Sequence, residues 1–171
     1  MFVGAPERIF QRLSGEASES LDQELEKGYR LLAVGYIDCE WKDKEKLPGF
    51  IQPLYAVVLE DRIRHNAKQT LEFFDRQGVD IKVISGDHVK TVSMIAKRAG
   101  LKRWKHAINM SVIGENADYD SLCEEYAVFA RVTPKQKQEL VKALQRKGHQ
   151  VAMTGDGVND LLALREADCS I

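Results

Sequence analysis

The strongest constraint on the fold is a rhythm. After Pro48-Gly49, short apolar runs alternate with single helical stripes, and a glycine ends each stripe. Leu54–Glu60 reads as a buried strand, after which Ala67, Leu71 and Phe74 share one helix face ahead of Gly78. Val79–Ser85 is the next strand, followed by a stripe of Val89, Val92, Ala96 and Ala99 that Gly100 closes. Residues 102–125 carry no clear period. Tyr126–Val132 is again strand-like, Pro134 opens a helix carrying Leu140, Val141 and Leu144, and Gly148 ends it ahead of a last strand over residues 149–155. Strands joined by single helices predict a parallel sheet with right-handed crossovers, an α/β domain. Ligands of such sheets bind beyond the carboxyl ends of the strands.

The chain ahead of that rhythm is organised differently. A strand near Phe2-Val3, helices over about 6–13 and 18–27, and a strand over Tyr29–Ile37 form a small α+β piece. A polar stretch, Asp38–Gly49, then reads as a hairpin or linker. The expected division is 1–50 and 51–171. With 44% hydrophobic and 30% charged residues the composition is that of a globular protein. The net charge of −1 gives no basic field for nucleic acid. Cys39, Cys123 and Cys169 form no C-x-x-C pair and predict free thiols in a reducing compartment, and the four histidines lack metal-ligand spacing and read as surface or capping residues. No apolar run approaches the roughly 20 residues of a membrane helix.

Polar residues gather just past each expected strand: Glu60-Asp61, then Ser85-Gly86-Asp87, then Arg131 with Lys137, then Thr154–Asp160. They are expected to converge on one sheet edge. In "TGDGVND", Asp156 lies between two glycines and Asp160 follows at a helix start. Hard oxygen ligands without His or Cys point to Mg²⁺, and a glycine-rich turn can offer successive N–H groups to a phosphate. Asp-Gly is equally a common turn dipeptide, and Asn159 could serve as an N-cap. Ser85 has a hydroxyl placed to donate to a phosphoryl oxygen, with Asp87 near the helix start as its cap. Lys137 could offset phosphoryl charge or belong to a solvated basic face.

The order of these elements carries more than any one of them. Hydroxyl-Gly-Asp, then Lys, then Gly-Asp-Gly-x-x-Asp resembles the haloacid dehalogenase superfamily. "TGDGVNDLLALREAD" (154–168) and "FARVTPKQK" (129–137) look like the hinge region of P-type cation-transporting ATPases. "LEDRIRHNAKQTLEFFDRQGVDIKVISGD" (59–87) is similar to that family's Asp-Pro-x-Arg to hydroxyl-Gly-Asp region, with Arg62 where proline is usual. "GAPE" (4–7) and "GYRLLAVG" (28–35) resemble the end of its nucleotide-binding domain. The resemblance covers almost the whole chain. It implies an incomplete, Rossmann-like parallel-sheet domain of haloacid dehalogenase type, preceded by a small α+β remnant of the nucleotide-binding domain.

By the same resemblance Asp156 is the protein ligand to Mg²⁺, Asp160 orients the ion and the phosphoryl group, and Asn159 supports them. Ser85 and Lys137 contact the transferred phosphate. Gly86, Asp87 and Arg131 reach ATP, Arg30 approaches it from the preceding domain, and Asp61 and Arg64 match the hinge positions. Two departures stand out. Val3 occupies the place of a lysine that lies over the adenine, and the string Asp-Lys-Thr-Gly-Thr, whose Asp is phosphorylated, does not occur in this sequence. The implied whole is an ATP-driven pump in the cell membrane with this region on the cytoplasmic side. Its partners are the nucleophile segment, the actuator domain and the membrane helices. The isolated chain is expected to be catalytically incompetent, with homodimers forming through unpaired strand edges. Two alternatives are a free-standing Mg²⁺-dependent phosphatase, with Glu60-Asp61 as its only candidate nucleophile, and a non-catalytic nucleotide-binding module.

Overall fold

Residues 30–36 and 52–59 carry apolar side chains in matching positions, and among the described residues the chain between them holds no helix to carry it across a sheet. Strands connected in this way pair antiparallel. The computed structural model describes residues 1–10, 15–42, 46–114, 117–155 and 157–171. In it the chain divides into two units, Met1–Arg62 and Ile63–Ile171.

In the first unit, β1 (Phe2–Gly4), β2 (Arg30–Tyr36) and β3 (Gln52–Leu59) form an antiparallel sheet in the order β1-β2-β3. Helix α1 (Pro6–Ile9) has its proline in the first turn, where a missing N–H is harmless, and α2 spans Gly15–Glu26. The end expected for the first helix, at Leu13, lies outside the described residues. Ile9, Ala33 and Ile51 form the core of this unit, flanked by Phe2, Phe10 and Ile37. The segment expected to begin the parallel sheet, Leu54–Glu60, instead forms β3 up to Leu59 and pairs antiparallel with β2. The division into units accordingly follows β3.

The second unit holds the strand–helix alternation. Its elements are α3 (Ala67–Arg76), β4 (Val83–Ile84), α4 (Val89–Ala99), β5 (Ala107–Asn109), α5 (Tyr119–Glu125), β6 (Val128–Ala130), α6 (Pro134–Arg146), β7 (Ala152–Met153), α7 (Leu161–Glu166) and β8 (Cys169–Ser170). The strands run parallel, in two sheets rather than one: β4-β6-β5 and β7-β8. Strand β6 is buried at every residue, and its period of two sorts the core. Phe129 packs with Met110, Tyr119, Cys123 and Leu140 on one face, whereas Val128 and Ala130 pack with Val92, Ala96 and Leu101 on the other. This is the helix–sheet–helix layering expected of the α/β class.

The strands are shorter than their apolar runs. Val79–Ser85 contributes only Val83–Ile84 because a ladder extends only where β6 lies alongside. Gly100 ends α4 in the left-handed conformation at φ 99°, as its position predicted. The stretch without a period, 102–125, contains β5 and α5. Asp118 caps α5 by accepting from the N–H groups of Asp120 and Ser121. The three cysteines are free, and burial pushes the Cys123 thiol up to about 11, which makes it unreactive at neutral pH. Among the described residues, no helix is long and apolar enough to cross a membrane.

Strand β7 is tied to the chain end by Asp168, whose Oδ2 accepts from the Val151 N–H at 2.8 Å. That bond, with help from the Gln145 side chain, holds the carboxyl below the ordinary aspartate range. A depressed folded pKa contributes stability above the unfolded value and loses it as pH falls through the folded one. Asp168→Asn is thus expected to lower the thermal midpoint at pH 7. Its gap to the parent should close as pH falls below the ordinary aspartate value of about 4; scanning calorimetry from pH 7 to pH 3 reads the effect.

Candidate active site

Two side-chain groups form in the second unit, on either side of the turn from β6 into α6. The turn is fixed by a capping box. Thr133 Oγ1 accepts from the Gln136 N–H, and Gln136 Oε1 accepts from the Thr133 N–H. Gln136 also donates to the Met110 carbonyl at 3.0 Å, which anchors the start of α6 to the residue following β5. The sequence signal of the box is Thr-x-x-Gln, and it precedes Lys137 directly.

Lys137 is buried, and its Nζ donates to Asp160 Oδ1 at 2.6 Å. Asp160 closes a 3₁₀ turn (Val158–Asp160) and precedes α7, yet its carboxylate does not cap that helix. It faces the lysine instead. Helix α7 is braced against α6 by Gln138, which donates to Glu166 Oε2 at 2.9 Å, and by Gln145, which donates to the Glu166 carbonyl at 2.9 Å. The pair thus joins α6 to the turn that leads into α7, and the two helices are braced against each other. Gly155 supplies the room: a Cβ there would lie 2.7 Å from the Cβ of Asp160. Gly155→Ala is expected to displace Asp160 from Lys137 and destabilise the chain by about 1–3 kcal/mol, measured by urea titration. Asn159 is exposed in the same turn.

The second group gathers where β4 and β6 end side by side. The Ser85 N–H donates to the Phe129 carbonyl at 2.9 Å, and the Val132 N–H returns to the Ser85 carbonyl at 3.1 Å. Ser85 Oγ accepts from the Asp87 N–H at 3.1 Å. Arg131 donates through Nη1 to the Gly86 carbonyl at 3.1 Å. Arg64, Ser85 and Asp87 line one cleft of about 620 Å³, whose remaining wall is largely apolar, including Leu71, Ile84 and Val92. The expected cap of α4, Asp87, is corrected by one residue. His88 is the N-cap, its Nδ1 accepting from the Lys90 N–H, because the Asp87 backbone is already committed to Ser85 and Arg131.

In the first unit Arg30 and Asp61 approach to 4.0 Å, an exposed pair of small energetic weight. Asp156, the expected metal ligand, lies outside the described residues. Among the described residues no group of three His, Cys, Asp or Glu side chains could hold a metal ion. The Asp160 carboxylate is a hard oxygen donor of the kind Mg²⁺ prefers, but one such donor is not a complete site. What these residues can do is hold charge: a buried ammonium–carboxylate pair beside a glycine-rich turn, and a serine hydroxyl fixed at a strand end.

Residues 4–168 match the haloacid dehalogenase-like hydrolase family. The chain is 42% identical over 173 residues to the "Probable cation-transporting ATPase exp7" of Streptococcus pneumoniae, a match covering 100% of this chain and 22% of that protein. It is 40% identical to the "Calcium-transporting ATPase CtpE" of Mycobacterium bovis, covering 99% of this chain and 21% of that protein. It is 37% identical to the "Cation-transporting ATPase pma1" of Synechocystis, covering 92% and 18%. The chain therefore spans about a fifth of the length of the curated relatives it matches. With the family match spanning residues 4–168, the chain belongs to the haloacid dehalogenase-like hydrolases and is similar along its whole length to a segment of the P-type cation-transporting ATPases.

Proposed function

We propose that this chain is a cytoplasmic fragment of an ATP-driven cation pump that works through an aspartyl-phosphate intermediate. The observation that carries the reading is the buried Lys137–Asp160 pair, just past the α6 capping box and beside the glycine-rich turn. Whole-length similarity to cation-transporting ATPases supports it. Residues 1–50 supply the end of the nucleotide-binding domain and residues 51–171 the phosphorylation domain, while the two compact units divide after Arg62.

In this reading Lys137 and Ser85 contact the transferred phosphate, the lysine by charge and the serine by its hydroxyl proton. Asp160 orients the Lys137 ammonium group, and Asn159 supports the turn. Asp156 holds Mg²⁺, which when bound offsets phosphate charge. Gly86, Asp87 and Arg131 serve the ATP side, with Arg30, Asp61 and Arg64 around the hinge. The nucleophile comes from the Asp-Lys-Thr-Gly-Thr segment of the longer polypeptide, because none of that string is in this sequence. Activation of a carboxylate nucleophile requires that residue, so the chain alone positions phosphate without transferring it. Its remaining partners are the actuator domain and the membrane helices, and unpaired strand edges favour a homodimer of the isolated chain.

A calorimetric titration with Mg·ATP, run with a phosphate-release assay, tests the reading. Binding in the millimolar range or weaker, without turnover, is the expected result. Turnover abolished by Asp61→Asn would instead establish a free-standing phosphatase. Tight binding without turnover would establish a nucleotide-binding module.

A further inference from the structure

Arg131 is the only non-glycine residue among those described with a left-handed backbone, at φ 54°. A side chain disfavours that conformation, and it persists only where its surroundings over-determine it. Three contacts do so here. The Arg131 N–H donates to the Asp87 carbonyl and the Val132 N–H to the Ser85 carbonyl, each at 3.1 Å. The guanidinium donates to the Gly86 carbonyl, also at 3.1 Å. Along an extended strand, successive N–H groups point to opposite sides. The left-handed turn brings two consecutive ones onto the same loop. Glycine would adopt this backbone without strain but would lose the guanidinium contact, which accounts for an arginine at the position.

The loop that is held contains Ser85, whose Oγ accepts from the Asp87 N–H at 3.1 Å. A hydroxyl oxygen that accepts in this way keeps its own proton for donation. We propose that Arg131 is a positioning residue: it latches the Ser85-Gly86-Asp87 loop onto the end of β6 and thereby fixes the direction in which the Ser85 hydroxyl donates. The functional consequence rests on the reading of Ser85 as a phosphate contact. Arg131 acts in it through the loop, and a ligand that meets Arg131 meets a side chain already engaged.

The test is amide hydrogen exchange and chemical shift by NMR on the ¹⁵N-labelled chain without ligand. Arg131→Ala loses the guanidinium and keeps the strain; exchange at Asp87 and Val132 is expected to quicken about tenfold. Arg131→Gly loses the guanidinium and relieves the strain, so exchange at both amides falls between the parent and the alanine variant. Arg131→Lys, which keeps a donor for the Gly86 carbonyl, recovers the Asp87 amide shift relative to the glycine variant. Amides within α6 exchange at the parent rate in all three, which separates a local latch from a general loss of stability. Asp87 and Val132 exchanging at the parent rate in the glycine variant would overturn the proposal. So would uniform acceleration across α6. Should the alanine variant not fold, the glycine and lysine variants still decide. Because no ligand is present, failure here leaves the phosphate reading of Ser85 standing, and failure of the Mg·ATP titration leaves the latch standing.

Discussion

Lys137→Met is expected to destabilise the chain by about 3–5 kcal/mol, a large fraction of the roughly 5–15 kcal/mol that holds a domain together. The side chains of Lys137 and Asp160 are only 11% and 13% exposed, so the substitution strands a carboxylate where water screens it poorly. Most of the loss comes from that uncompensated charge rather than from the bond itself. The double variant Lys137→Met/Asp160→Leu is accordingly expected to recover most of the stability, since a buried ion pair is often no more stable than apolar groups of similar volume. Urea titrations of the parent, both single variants and the double variant close the cycle. A double variant as unstable as the sum of the singles would mean that the pair does not interact. Recovery of stability without recovery of phosphate handling would mark the pair as kept for chemistry.

Phe129→Ala is expected to cost a similar amount, about 3–5 kcal/mol, by a different mechanism. Its ring is 1% exposed and is the largest of the fully buried side chains. It sits on the central strand β6, in register with Ile84 on one side and Ile108 on the other. Removing it leaves a cavity among Met110, Tyr119, Cys123 and Leu140, where helices α5 and α6 meet the sheet. The same strand leads directly into Arg131 and α6, so the loss should also loosen the Ser85 loop. A midpoint in urea shifted by less than about 1 kcal/mol equivalent would show that the surrounding helices close over the space.

These effects explain which parts of the structure could be read from the sequence. Helix positions were legible because apolar stripes and terminal glycines carry local information; Gly100 and Gly148 both adopt the positive φ their positions imply. Strand partners were not, because pairing is decided by connections and by what lies alongside. Gln52–Leu59 looks like any buried strand, and only its antiparallel register with Arg30–Tyr36 assigns it to β2. Residues 102–125 lacked a period because they contribute a three-residue strand and a seven-residue helix, each too short to show one.

Much the same holds at the site. Lys137, Asp160 and Ser85 were legible because their residue types follow strand ends in a chemically sensible order. The need for Gly155 was only partly legible: Asp160 lies five residues on, and the close approach arises from the intervening turn. His88 took the cap expected of Asp87 because tertiary bonds had already claimed the Asp87 backbone. Nothing in the sequence marks the left-handed backbone of Arg131, which exists only once the ends of β4 and β6 lie side by side.

Covalent labelling from ATP carrying a labelled γ-phosphate tests the central claim most directly, comparing this chain with a longer polypeptide that carries it within a full-length pump of the proposed kind. The chain alone is expected to take no acid-stable label in the presence of Mg²⁺. The longer polypeptide is expected to form a hydroxylamine-labile acyl phosphate that Lys137→Ala and Asp160→Asn suppress. A covalent phosphate on the 171-residue chain itself would contradict the account, because it would place the nucleophile among the residues described here.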